Sequence, residues 1–223
     1  MIIIGGDVSP SGFSERCLSQ NPEILFKPSL KKFLAQAENV VINLETVITK
    51  SNQPIVKCGP NFKCKPDVAA GLKSLNILNC SLANNHIMDY GEIGLKDTMG
   101  CLNDEGINYW GAGLSINELA SYCIFPMSGK RVAIVSIAEH EFSIISNNDA
   151  GAYGLDIIDN GTLISQLAQE NDVPLLSQIP IESDTFSGTG KDLPVVHTSP
   201  DSITAKVFLE LAGTLCNLLS VRH

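Results

Sequence analysis

Short apolar runs alternate with longer amphipathic stretches over the first 140 residues of the chain. The apolar runs have the length and the branched residues of single β-strands; they are "MIII" (1–4), "NVVINL" (39–44), "ILNCSLA" (77–83) and "KRVAIVSIAEHEF" (130–142). The stretches at 28–38, 65–76 and 91–106 are typical of helices. Strands that alternate with helices of this length predict an α/β fold, with a largely parallel sheet and crossover helices.

The pattern changes after about residue 160. A helix-like stretch, "NGTLISQLAQEND", is followed by a strand that ends in prolines, a Gly-rich loop and a final apolar-faced helix beginning at "PDSITAK". We therefore predict one domain over residues 1–160 and a short β-loop-α appendage over residues 161–223.

Polar groups follow the predicted strands at the points where each strand ends. They are carboxylates, amides and imidazoles: Asp7; Asn43 and Glu45; Asn84, Asn85 and His86; Glu139, His140 and Glu141. In an open parallel sheet, ligands bind beyond the carboxyl ends of the strands, where such loops converge. These donor types suit Mn²⁺, Zn²⁺, Fe²⁺ or Mg²⁺. Together the strand ends predict a divalent metal site.

Each of these residues alone has a structural explanation. Asp7 could cap a turn or a helix, and Glu45 could be a surface residue of a fraying strand. The two asparagines could hold a tight turn, because Asn tolerates left-handed backbone conformations. A single histidine such as His86 is more often a hydrogen-bonded structural residue than a ligand.

The chemistry that this set supports is two-metal hydrolysis of a phosphoester. Glu45 would bridge two ions, with Asp7 on one and Asn85 on the other, and His86 would stabilise or protonate the leaving oxygen as the catalytic side chain. Additional candidate ligands are Asn43, Asn84, His140 and Glu141.

Charge and composition restrict the partners. The formal charge of −9 argues against binding to nucleic acid or to an anionic membrane through bulk electrostatics. No stretch has the features of a signal peptide or the length of a membrane span. The seven cysteines are scattered and contain no Cys-x-x-Cys, which is typical of reduced thiols in a cytoplasmic protein. We expect a phosphorylated or anionic small molecule or polymer as the ligand.

Residues 1–159 resemble the CapA family of bacterial capsule and poly-γ-glutamate synthesis proteins, a branch of the calcineurin-like metallophosphoesterases. The matching stretches are "GGDV" (5–8), "NLET" (43–46), "KCGPNF" (57–62), "LANNHIMDYGEIGL" (82–95), "GINYWGAG" (106–113) and "AEHEFSI" (138–144). The resemblance implies an αββα-type sheet, a phosphoester hydrolase and a role in capsule or polyglutamate synthesis. It also implies metal ligands at Asp7, Glu45 and Asn85, with His86 assisting phosphoryl transfer.

The chain departs from that family in its second half. The His-Gly-x-Glu and Gly-x-His-Pro-His motifs that complete the metal shells in family members do not occur here. We therefore expect an incomplete calcineurin-like sheet and an incomplete dinuclear site. Absent strands would leave an exposed sheet edge, which favours a homo-oligomer.

Residues 162–219 resemble the C-terminal end of Mrp-type P-loop ATPases, which carry iron–sulfur clusters. The stretches concerned are "LAQENDVPLLSQIPIESD", "GTGKDLPVV" and "PDSITAKVFLELAGTL", without the phosphate-binding loop or the Cys-x-x-Cys of that family. Two alternatives to a hydrolase remain open. The chain could be a non-catalytic remnant or binding protein, or its C-terminal segment could serve as an accessory to iron–sulfur assembly.

Overall fold

The computed structural model describes residues 1–127, 130–139, 143–146, 149–171, 201–203, 205–207, 209–210 and 212–213. The candidate ligands His140 and Glu141 lie outside the described residues, as do the strand and the Gly-rich loop predicted for the C-terminal segment. The described residues between 203 and 213 are helical, within the stretch for which a final helix is predicted.

Ten strands and five α-helices lie within the described residues up to Glu170. The strands are β1 (Ile2–Val8), β2 (Asn39–Leu44), β3 (Val47–Ile48), β4 (Lys63–Cys64), β5 (Asn79–Ser81), β6 (Asn108–Trp110), β7 (Ala112–Gly113), β8 (Tyr122–Met127), β9 (Lys130–Val135) and β10 (Gly151–Ala152). The helices are α1 (Gly12–Gln20), α2 (Pro28–Leu34), α3 (Asp67–Ser74), α4 (Gly91–Asp104) and α5 (Ile157–Glu170).

The main sheet is parallel, with the strand order β1-β2-β5-β6. Its crossovers are α1 and α2 between the first two strands, α3 before β5, and α4 before β6. The predicted α/β fold with a parallel sheet is confirmed. The apolar core lies between the sheet and these helices and includes Leu44, Leu72 and Leu95.

A bulge in β1 sets the position of the first candidate ligand. Ile4 pairs with Val41, but Asp7 pairs with Asn43, so β1 uses one residue more than β2 over this stretch. The extra length falls at Gly5–Gly6, where small residues permit the irregularity. As a result Asp7 and Asn43 stand opposite each other at the end of the two strands.

The prediction that residues 130–142 form a strand of the parallel sheet is wrong. β9 instead pairs antiparallel with β8 in a separate two-stranded sheet, in which Met127 stands opposite Lys130. Only two residues connect these strands, and a connection this short joins antiparallel neighbours, whereas a parallel pair needs a long crossover. Glu139 therefore does not follow a strand of the main sheet.

One edge of the main sheet is exposed. Within the described ranges β1 pairs only with β2, and the side chain of Ile4 is 69% exposed. The chain forms two compact units, Met1–Gly161 and Thr162–His223, and the described candidate residues lie in the first. Within the described part of the chain, none of the helices combines the length and the apolar character needed to cross a bilayer.

Candidate functional site

A chain of side-chain hydrogen bonds links three strand ends of the main sheet. The Nδ2 group of Asn43 donates to Oδ1 of Asp7 at 2.8 Å, and the Nδ2 group of Asn84 donates to Oδ1 of Asn43 at 3.1 Å. Asp7 belongs to β1, Asn43 belongs to β2, and Asn84 follows β5. The structure therefore brings these three predicted residues together, in the order in which their strands lie in the sheet.

Asn84 is a buried residue whose amide is fully engaged in the fold. Besides its bond to Asn43, its Nδ2 group donates to the carbonyl of Leu44 at 3.0 Å, and its Oδ1 accepts from the backbone N–H of His86 at 3.0 Å. The last contact is an Asx-turn, in which a side chain replaces a backbone acceptor. Asn84 thus fixes the path of the chain from the end of β5 to His86.

His86 is buried and is held on two sides. Its Nδ1 atom lies 2.7 Å from Oδ2 of Asp89, three residues further along the chain. Its ring stacks on Phe62, with the centroids 4.1 Å apart and the planes at 19°. The imidazole therefore has a fixed orientation, as general acid–base catalysis requires.

Asp89 is fully buried and receives partners from the 46–64 loop. Its Oδ2 atom accepts from the backbone N–H of Phe62 at 2.6 Å, and its Oδ1 atom forms an ion pair with Nζ of Lys57. The side chain of Lys57 is 2% exposed. Burial and the negative charge of Asp89 raise the pKa of the neighbouring Tyr90 phenol.

A short strand pair, separate from the main sheet, closes the two ends of the 46–64 loop. β3 and β4 pair in parallel, so the two ends of the loop are fixed together while its middle extends over the His86 segment. The backbone N–H of Ile55 donates to the carbonyl of Asp89 at 2.9 Å, which anchors that middle part. This arrangement brings Lys57 and Phe62 against the histidine.

The remaining predicted ligands lie next to these strand ends. Glu45 directly follows β2, is half-buried, and its backbone N–H donates to the carbonyl of Val8 at 3.1 Å. Asn85 lies between Asn84 and His86 and is also half-buried. The hydroxyl of Ser143, two residues after Glu141, donates to the carbonyl of Asn84 at 2.9 Å, so the chain after β9 returns to this region.

The types of donor present suit a divalent cation, but there are too few of them to complete its coordination shell. Carboxylates at Asp7 and Glu45 and an amide at Asn85 are ligands that hard cations accept. Among the described residues, however, no group of three or more His, Cys, Asp and Glu side chains is arranged to hold a metal ion. Because a catalytic ion usually has about three protein ligands, three donors are too few for a centre of two ions, and the set is incomplete.

Sequence reasoning missed three residues that hold His86. Asp89 carries a detectable signal, because the His-x-x-Asp spacing of three residues lets the two side chains meet on one turn. Lys57 and Phe62 carry none, because they reach His86 through a loop whose path depends on tertiary structure.

A lysine-lined cleft of about 530 Å³ lies beside the loop ends. Lys50, Lys63 and Lys65 line it, together with Glu15 and Asp67. Lys50 and Lys65 form no ion pair within the described part of the chain. The cleft is therefore a positively charged feature on a chain whose formal charge is −9.

The family model described as bacterial capsule synthesis protein PGA_cap matches residues 1–171. The chain belongs to this PGA_cap family. The resemblance of the strand-end motifs to the CapA proteins is thereby confirmed, since homologues with that name are among its relatives.

Three PGA_cap relatives show how much of the family's length this chain covers. The capsule biosynthesis protein CapA of Bacillus anthracis is 27% identical over 74% of this chain and 38% of its own length. The PGA biosynthesis protein CapA of Bacillus subtilis is 25% identical over 66% and 38%. A "probable polyglutamine synthesis accessory protein" of Mycobacterium tuberculosis is 31% identical over 52% and 28%. The chain thus spans about a third of the length of these relatives.

Two solved structures resemble this PGA_cap chain. The NAD nucleotidase of Haemophilus influenzae matches with a TM-score of 0.42 and 16% identity, over 65% of this chain and 26% of its own. A 5'-nucleotidase precursor of Thermus thermophilus matches with a TM-score of 0.44 and 13% identity, over 77% and 35%.

Proposed function

We propose that this PGA_cap protein acts on a phosphorylated ligand in capsule or poly-γ-glutamate synthesis, as a metal-dependent phosphoester hydrolase with an incomplete dinuclear centre. The supporting observation is the hydrogen-bond chain from Asp7 through Asn43 to Asn84, which ends at the backbone of His86. This hydrogen-bond chain joins strand ends that carry oxygen donors for a cation to the turn that carries His86, whose imidazole could exchange a proton.

Asp7, Glu45 and Asn85 are the residues that would hold divalent ions. When bound, such ions would stabilise negative charge on phosphoryl oxygens. His140 and Glu141 are the proposed additional ligands, because Ser143 brings the chain that follows them to Asn84. A second copy of the chain is the other proposed source of ligands, through the exposed edge at β1.

His86 is the proposed proton donor to the leaving oxygen. Its Nδ1 atom is engaged with Asp89, which leaves Nε2 as the nitrogen available to a ligand. Removing a positioned general acid typically lowers turnover by about 10²–10⁴-fold.

Hydrolysis of p-nitrophenyl phosphate and of bis-p-nitrophenyl phosphate, with added Mn²⁺, tests this role. The His86→Ala variant is expected to keep its bound metal and lose turnover, whereas Glu45→Ala is expected to lose both. If His86→Ala changes only the melting temperature and leaves turnover unchanged, the histidine is structural and the proposed role is wrong.

The second candidate function is capture of an anionic ligand without catalysis, and the lysine-lined cleft favours it. Between Glu45 and Asp67 the chain has four lysines and no acidic residue, and three of these lysines line the cleft. A polycarboxylate chain is the anionic polymer that such a cleft would suit.

Binding of a fluorescent poly-γ-glutamate oligomer, at low and at high salt, distinguishes the two functions. Charge reversal by Lys50→Glu with Lys65→Glu is expected to weaken binding if the cleft captures the polymer, and to leave phosphoester hydrolysis unchanged. Equal binding by both proteins would rule out the cleft as the capture site.

The proposed compartment is the cytoplasm. The described cysteines are all free thiols, including the exposed Cys58. An exposed free thiol suits a reducing compartment. Trapping of the protein's thiols with a maleimide in intact cells, followed by mass spectrometry, would show whether Cys58 is reduced there.

A further inference from the structure

Lys57 is buried to an extent that lysines rarely reach. Its side chain is 2% exposed, and its ammonium group pairs with the fully buried carboxylate of Asp89. Lysine is almost never fully buried unless it is paired, because removing an ammonium ion from water is costly. The 46–64 loop therefore places the Lys57 side chain in the interior, where it reaches the buried carboxylate of Asp89.

The two oxygens of Asp89 have different partners. Oδ1 pairs with Lys57, while Oδ2 accepts from the backbone N–H of Phe62 at 2.6 Å and lies 2.7 Å from Nδ1 of His86. Rotation of the carboxylate would separate both oxygens from these partners. The ammonium group thus helps to fix the orientation of the carboxylate plane, so that one oxygen faces the histidine.

Nδ1 of His86 has two neighbours but can satisfy only one of them. It lies 3.3 Å from Nζ of Lys57 and 2.7 Å from Oδ2 of Asp89. A nitrogen that carries a proton donates to the carboxylate and cannot also accept from the ammonium group. The shorter contact to the charged acceptor assigns the proton to Nδ1. Lys57 accordingly acts on His86 through Asp89.

We propose that Lys57 is a positioning residue for His86. It holds Asp89 so that Oδ2 faces Nδ1, which keeps the imidazole in its Nδ1–H tautomer and in its stacked position on Phe62. Nε2 is then the nitrogen that meets a ligand, and it donates to a leaving oxygen when the ring carries a proton on both nitrogens. The effect of Lys57 on turnover rests on the proposed hydrolase function, whereas its effect on the histidine does not.

Nitrogen NMR of the 223-residue chain, labelled with ¹⁵N-histidine, tests the structural part. In the wild type at one fixed alkaline pH, long-range ¹H–¹⁵N spectra should show His86 as a single Nδ1–H tautomer; a His86→Asn sample assigns its signals. Lys57→Met keeps the length and removes the charge, so the His86 signals should shift towards a tautomer average. Lys65→Met, an exposed lysine of the same stretch, is the control and should leave the signals unchanged.

The double variant Lys57→Met with Asp89→Asn covers the case in which Lys57→Met does not fold. It removes the carboxylate charge together with the ammonium charge, so no buried charge is left unpaired. The amide at position 89 can donate or accept, so tautomer averaging at His86 is again expected. An unchanged, single Nδ1–H signal in either folded variant would overturn the proposal.

Steady-state kinetics test the catalytic consequence. Lys57→Met should lower kcat by about 10–100-fold, the usual effect of a residue that orients another catalytic group, with little change in KM. Lys57→Arg should recover part of kcat because it restores the positive charge. If wild-type protein hydrolyses neither phosphoester, the proposed function fails, and the NMR comparison still decides the role of Lys57. An unchanged kcat in folded Lys57→Met, with active wild type, would contradict the positioning role.

Discussion

Gly71 lies where α3 meets α1, and its replacement by alanine is a sharp test of the fold that positions the site. A Cβ atom at this position would lie 2.1 Å from the carbonyl oxygen of Leu18 and 2.8 Å from its carbonyl carbon. Both are backbone atoms of α1, so no side-chain rotation can relieve the contact. α3 is the crossover between β2 and β5, and the ends of these two strands carry Asn43 and Asn84.

Two opposing terms set the size of the effect. Gly→Ala inside a helix ordinarily stabilises by about 1 kcal/mol, because alanine has the higher helix propensity. Forcing an extra carbon into a packed interface costs about 1–3 kcal/mol and occasionally more. A contact with backbone at 2.1 Å belongs at the upper end of that range. We therefore expect Gly71→Ala to lower the free energy of unfolding by about 2 kcal/mol.

Urea denaturation followed by tryptophan fluorescence measures this change. Trp110 is the only tryptophan and is 1% exposed, so its emission reports unfolding of the unit that contains the site. With a slope of about 2 kcal/mol per molar urea, the midpoint should fall by about 1 M.

Gly100→Ala is the matched control. Gly100 lies inside α4 with no heavy atom within 4 Å of the added Cβ position, so the same substitution should raise the midpoint by about 0.5 M. A midpoint that rises for Gly71→Ala, as it is expected to rise for Gly100→Ala, would refute the close approach of α3 to α1.

Two further predictions concern buried groups. Asn84→Asp should lower the free energy of unfolding by at least about 2 kcal/mol, because an acceptor would then face the Asn43 Oδ1 and Leu44 carbonyl oxygens; an unchanged urea midpoint would contradict the observed hydrogen bonds. Burial raises the pKa of Cys80 from 9.0 to about 12, and burial together with the charge of Glu15 does the same for Cys64. Between pH 9 and 12 both thiols therefore stay protonated in the folded chain, whereas they ionise in the unfolded chain. The contribution of each thiol to the free energy of unfolding is fully present below pH 9 and falls by about 1.4 kcal/mol per pH unit between pH 9 and 12. The same pH slope in wild type and Cys80→Ala would exclude Cys80 as a cause.

The sheet was predictable because its signals are local. The apolar runs at 39–44 and 77–83 correspond to β2 and β5, and the helix predicted over 91–106 is α4 (Gly91–Asp104). The partner of β9 was not predictable from its apolar content alone, because parallel and antiparallel pairing bury similar residues. The signal lay in the preceding strand: β8 ends at Met127 and β9 begins at Lys130, and a connection of only two residues is typical of a hairpin.

Part of the candidate site was likewise predictable from the sequence, and part was not. The convergence of Asp7, Asn43 and Asn84 at one sheet edge follows from a parallel sheet, which the alternating pattern predicts. The support of His86 by Lys57 does not, because a lysine in a loop is ordinarily solvated and its sequence context reveals no burial. The C-terminal segment's resemblance to Mrp-type ATPases stays a prediction.

Metal content is the measurement that tests the central claim most directly. The 223-residue chain would be loaded with Mn²⁺, freed of excess ion and analysed for bound metal beside Asp7→Ala and His86→Ala. The account predicts bound Mn²⁺ in the wild type and in His86→Ala and its loss in Asp7→Ala, since Asp7 is a proposed ligand and His86 is not. Absence of retained metal from the wild type, or retention that is equal in Asp7→Ala, would contradict a cation site at these strand ends.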